Sequence, residues 1–75
     1  MNKELLATNL KRYRMFNGLT QKDVAEKLGV SRATIINWEN KPERMPFTKL
    51  MLLADLYNIK ADDFFVPCNS TVSRI

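Results

Sequence analysis

Seventy-five residues with a 45% hydrophobic share make one small domain, and a 27% charged share excludes a wholly disordered chain. A single cysteine, Cys68, rules out an intramolecular disulfide and fits a reducing compartment, and no apolar run approaches the ~20 residues that a bilayer-spanning helix needs. The net charge of +4 is uneven, since residues 1–44 hold nine Lys or Arg against five Asp or Glu and residues 45–75 hold three of each; that is an ordinary surface or a basic face for a polyanion.

Two glycines and three prolines punctuate the chain. Lys3 to Phe16 reads as a first helix, with Leu6, Leu10 and Tyr13 on one stripe and Leu5 beside it. Its leucines alternate with charges, unlike the continuous apolar core of a signal peptide. Lys11, Arg12 and Arg14 crowd its C-terminal half, and Asn17-Gly18 ends it.

A second helix starts after Thr20, an N-cap with Asp23 three residues on as its capping-box partner. Val24, Ala25 and Leu28 form its inner stripe. Ala25 is small where two helices would cross, Gly29 permits a left-handed turn, and Val30 then enters the core.

Ser31 caps a third helix. At about 100° per residue, Ile35 and Trp38 face inward, while Arg32, Ala33, Ile36, Asn37 and Asn40 face outward. Pro42 stops it. A fourth helix, about Pro46 to Tyr57, turns Phe47, Leu50, Leu53, Ala54 and Tyr57 inward, and Asn58 suits a left-handed cap. A fifth, about Ala61 to Phe65, anchors through Phe64 and Phe65, and Ile59 joins the core. Residues 1–66 are thus expected to form one all-α, five-helix domain, and residues 67–75 a polar, loosely ordered tail.

Gln21 to Asn40, QKDVAEKLGVSRATIINWEN, concentrates the chemistry. Two short helices joined at a glycine have the layout of a helix-turn-helix, whose second helix enters the major groove of DNA. Arg32 suits guanine O6 and N7, or equally a phosphate. Asn37 suits adenine N6 and N7, or is a plain surface amide. Ala33 and Ile36 are apolar where water is expected; thymine methyls would account for them, although single exposed apolar residues are common. Thr34 serves base or phosphate. Lys22, Ser31, Asn40, Lys41 and Arg44 are candidate phosphate contacts, as is Gln21 at a helix N-terminus.

Catalysis finds little support. The chain has no histidine, no phosphate-cradling glycine loop and no plausible metal cluster. Asp62 and Asp63 would diverge on a helix, Cys68 has no histidine to activate it, and Trp38 shares a stripe with Ile35 and reads as core.

The blocks GLTQKDVAEKLGVSRATIINWEN and MPFTKLMLLADLYNIKADDFF resemble the Cro/C1-type helix-turn-helix family, which includes lambda repressor, over roughly residues 6–65. The shared features are the glutamine opening helix two, the small alanine, the turn glycine, the buried isoleucine, the Trp-Glu pair and the aspartate at 62. The resemblance implies a compact lambda repressor-like fold, with helices two and three as the reading unit. It also implies a structural ion pair between Arg14 and Glu39, and strengthens Gln21 as a phosphate contact.

The sequence departs from the family pattern at three places: Lys41-Pro42 replaces a glycine, Ile36 a polar residue, and Lys60 a capping Ser or Thr. The implied function is a sequence-specific regulator of transcription, of the phage or prophage repressor kind. It would bind a near-palindromic double-stranded operator as a homodimer, with Phe64, Phe65, Val66 and the tail as candidate dimer contacts. The alternative is an antitoxin or anti-repressor acting mainly through a protein partner. Neither reading involves a cofactor, metal, membrane or small molecule, and both place the protein in the bacterial cytoplasm, on the nucleoid when bound.

Overall fold

The computed structural model describes residues 2–67. Helices α1 (Lys3–Phe16), α2 (Gln21–Leu28), α3 (Arg32–Asn40) and α4 (Phe47–Leu56) are joined by short connections, and among the described residues there is no strand. Two 3-10 helices, Pro42–Arg44 and Ala61–Phe65, complete the order.

Local chemistry explains the starts and stops. Asn2 Oδ1 accepts the Leu5 N–H at 3.0 Å and opens α1. Thr20 and Asp23 form a reciprocal box: the Asp23 N–H donates to Thr20 Oγ1 at 3.0 Å, and the Thr20 N–H to Asp23 Oδ2 at 2.9 Å. That backbone donor, and then the Thr20 hydroxyl, hold the Asp23 carboxyl below its ordinary 3.8. The contribution is complete above the ordinary carboxylate range and is lost as pH falls through the lowered value.

Gly29 ends α2 at φ 72°, in the left-handed region. A Cβ there would meet nothing within 4 Å, so backbone conformation and not space selects glycine. Gly29→Ala is therefore expected to cost about 1 kcal/mol, and Gly29→Asn less; urea denaturation of the two variants measures both. Asn58 takes the same conformation, at φ 62°.

The fifth element is a 3-10 helix and not an α-helix. Only five residues separate Lys60 from Val66, and the Asp63 carboxylate accepts the Lys60 N–H at 3.2 Å, tightening the turn. The Lys60 side chain does not act as a cap there, and the cap comes from three residues downstream. Pro42–Arg44 is an element that helical periodicity did not indicate. It follows Lys41 directly, buries Pro42, and is closed by Arg44 N–H to Lys41 O and Met45 N–H to Pro42 O. This turn starts directly after Lys41, the position at which the family pattern has a glycine.

The core joins Leu6, Leu10 and Tyr13 of α1 to Val24 and Ala25 of α2 and Ile35 of α3. Leu50, Leu53 and Ala54 of α4 complete it, with Tyr57 and Phe64. Phe64 lies edge-on to Tyr13 at 5.9 Å and to Tyr57 at 6.3 Å between ring centroids. Leu28, Val30, Trp38 and Ile59 pack against this cluster but are only half-buried.

Two expected core residues lie outside. Phe47 is 63% exposed. It shares the angular face of Leu50 and Ala54 but precedes Leu50 by a turn, where the core has ended; periodicity sets a face and not its axial cover. Phe65 is 41% exposed. Adjacent residues on a turn that advances 100–120° cannot both point inward, and Phe64 takes the core position.

Asn9 is wholly buried and carries a structural role that periodicity does not reveal. Its Nδ2 donates to Phe64 O at 2.8 Å and Val66 O at 2.7 Å, tying the C-terminal segment onto α1.

Candidate nucleic-acid interface

Three features fix α3 in place. Ser31 Oγ accepts the Thr34 N–H at 3.2 Å and lies 2.9 Å from Thr34 Oγ1, which orders the first turn. Ile35 is buried against the core and sets which face turns outward. At the far end the Glu39 carboxylate is buried. Arg14 Nε donates to its Oε2 at 2.7 Å and Arg14 Nη1 to Leu19 O at 2.9 Å. One guanidinium thus ties the last turn of α3 and the loop entering α2 to α1. The Tyr57 hydroxyl has its pKa raised, first by burial and then by the Glu39 charge, with Arg14 opposing, so it stays protonated.

The exposed surface of α3 consists of Arg32, Ala33, Asn37 and Asn40. From Arg32 to Asn37 is about 7–8 Å of helix axis at 1.5 Å per residue. Against about 3.4 Å per base-pair step, such a face reaches two or three steps.

Two residues expected on this face are only partly there. Ile36 is half-buried, because it flanks Ile35 at the border of the inner stripe. Thr34 is half-buried, and its hydroxyl already faces Ser31. The Ser31 hydroxyl is engaged in capping.

A groove of about 550 Å³ opens beside α3, lined by Arg14, Leu19, Thr20, Gln21, Lys22 and Arg32. It brings together the first residue of α3 and the N-terminus of α2, where backbone N–H groups favour an anion. Arg32 and Lys22 line it as exposed cations, so Arg32 borders both this groove and the exposed face of α3. Gln21 lines the same groove, but its Nε2 also donates to Glu39 Oε1 at 3.1 Å. Lys41 and Arg44 are exposed around the 3-10 turn after α3, outside this groove.

Thr20, the N-cap of α2, also lines this groove, as its place directly before Gln21 in the sequence implies. Among the described residues no set of three acidic, His or Cys side chains could hold a metal ion, and no helix is long and apolar enough to cross a membrane. Cys68 and the tail from residue 68 onward lie outside the described residues.

A family model described as "Helix-turn-helix" matches residues 10–64. The chain is 44% identical over 62 residues to an uncharacterized HTH-type transcriptional regulator of Methanocaldococcus jannaschii, covering 81% of this chain and 92% of that protein. It is 44% identical over 43 residues to the antitoxin HipB of Escherichia coli K12, covering 57% of this chain and 49% of HipB. It is 38% identical over 56 residues to the control protein C.SmaI of Serratia marcescens, covering 75% and 67%. No solved structure gives a significant match.

Proposed function

The chain belongs to the Cro/C1-type helix-turn-helix family, and from that premise we propose that it is a sequence-specific, double-stranded DNA-binding repressor of transcription. The observation that carries this reading is the pairing of the α3 face with the adjacent basic groove. Arg32, Ala33 and Asn37 are exposed on one short helix, and Gln21, Lys22 and Arg32 line a groove at the N-terminus of α2. A base-reading helix needs such a backbone grip beside it, because phosphate contacts set register and base contacts set sequence. Thr34 and Ile36 contribute from the edge of the face. Ser31, Asn40, Lys41 and Arg44 extend the backbone grip beyond it.

A face that spans two or three steps is too small to be selective alone. We therefore propose a homodimer on a near-palindromic operator, with half-sites about one helical turn apart. Phe64 is fully buried and cannot line the dimer contact; Phe65 and Val66 are exposed and can. The cytoplasm is the proposed setting, on the nucleoid when bound.

Selection of bound sequences from random duplex DNA tests the function. A motif with two inverted half-sites is expected, and failure to enrich any motif would overturn the reading. On the selected operator, Arg32→Ala is expected to lose about 1–3 kcal/mol of discrimination at one base position. Equal loss on operator and random duplex would reassign Arg32 to phosphate.

The likeness to HipB favours a second reading, an antitoxin acting mainly through a protein partner. It covers about half of HipB and so speaks to the domain rather than to the partner. Full affinity for an operator in the absence of any other protein would set it aside.

A further inference from the structure

The helices of the reading unit are joined at one end by the chain itself, through Gly29, Val30 and Ser31. At the other end α2 begins with Gln21, and α3 ends in a turn that contains Glu39. Gln21 Nε2 donates to Glu39 Oε1 at 3.1 Å across that open end. Glu39 can hold the glutamine firmly because Arg14 neutralises it through Nε at 2.7 Å, and because burial denies its oxygens competing water.

The geometry points to Gln21 as a positioning residue that sets the angle of α3, beyond any phosphate it touches. We infer that its amide pins the far ends of α2 and α3 together, so that backbone grip and base reading are coupled through a single side chain. A primary amide nitrogen carries two hydrogens. One is directed to Glu39, and the other is available on the groove that Gln21 lines. A phosphate oxygen there would complete a bridge from the DNA backbone through Gln21 to Glu39 and the last turn of α3. The hinge is the turn at Gly29, so loss of the pin displaces the Asn37 end of α3 more than the Arg32 end. A phosphate contact without this role would lower affinity for every sequence alike and reduce the salt slope by about one.

Gln21→Met keeps the length of the side chain and removes its donors. Gln21 is only half-buried, so the variant is expected to keep a cooperative thermal transition. In the free protein, the backbone amide resonances of Glu39, Asn40 and Lys41 are expected to shift and to exchange with solvent several-fold faster, while those of Val24 and Ile35 hold. Unmoved α3 amides would overturn the inference. This arm uses no DNA, so it decides the pin even if the DNA-binding reading fails.

On selected operator, which rests on that reading, the preference over random duplex is expected to fall about 5- to 10-fold, most at the bases nearest Asn37. Equal loss on both duplexes would reduce Gln21 to a phosphate contact. Lys22→Met, which alters a groove residue with no bond to Glu39, is expected to show that equal loss. Gln21→Lys restores a donor and is expected to return the α3 amides toward their original positions; if the methionine variant does not fold, displaced α3 amides in the lysine variant overturn the inference.

Discussion

Phe64→Ala is expected to bring this domain to the edge of unfolding. Phe64 is 0% exposed and sits edge-on between Tyr13 and Tyr57. Truncating a buried phenylalanine costs about 3–5 kcal/mol, the transfer of the ring plus the cavity it leaves. Each aromatic pair adds about 0.5–1.5 kcal/mol beyond area, which places this site in the upper half of that range. At the usual 0.05–0.15 kcal/mol per residue, a domain of this size holds only about 4–11 kcal/mol in total. Loss of the ring also removes the side chain that seats the segment whose carbonyls Asn9 holds. The neighbouring Phe65→Ala is expected to cost under about 1 kcal/mol, because Phe65 is already 41% exposed. Thermal and urea unfolding of the two variants, read by circular dichroism, measures the contrast; equal costs would mean that the C-terminal turn does not bury Phe64.

Glu39→Ala is the second large effect, and it acts on the reading unit directly. The carboxylate is 5% exposed and its Arg14 partner 14%. Removing one member of a buried pair leaves an uncompensated charge and typically costs 3–5 kcal/mol. Arg14 keeps some access to water and its bond to Leu19 O, so about 3 kcal/mol is expected, a fall in Tm of roughly 12–24 °C. The double variant Arg14→Met, Glu39→Leu is expected to recover most of that loss, since apolar replacement of a whole buried pair is often neutral. Its stability would return without the bond from Gln21 to the last turn of α3, because Gln21 would have no carboxylate to hold. A cost below 1 kcal/mol for Glu39→Ala would mean that the pair behaves as a surface pair, and that apolar packing alone orients α3.

Much of the architecture was legible in local chemistry. Thr20, Ser31 and Gly29 mark helix ends by what their side chains, or the lack of one, do to the backbone. Both ends of α2 and the start of α3 follow those marks. The stripe Leu6, Leu10 and Tyr13 and the stripe Val24 and Ala25 are buried because helical period alone selects their face. Composition shows the limit of that reasoning at Phe47 and Phe65. Both are large and apolar, and neither periodicity nor hydrophobicity says where the neighbouring elements stop covering a stripe. Asn9 marks the opposite limit: a polar residue beside Leu10 is buried because two distant carbonyls need a donor, which no local pattern announces.

The amino-acid sequence by itself determined the helix-turn-helix, its family and the outward set of Arg32, Ala33 and Asn37, because caps, a turn glycine and a 3.6-residue period are local properties. The family resemblance implies the Arg14–Glu39 pair; the tertiary structure alone decided that Gln21 joins it and links the far ends of α2 and α3. Residues 14, 21 and 39 lie on three different helices, and only their packing brings Arg14 within 2.7 Å of Glu39 and Gln21 within 3.1 Å of it. Hydrogen bonds between residues 18 and 25 positions apart leave no periodic trace in a chain. A glutamine that the family resemblance assigns to a phosphate contact is thereby also bonded to the last turn of α3.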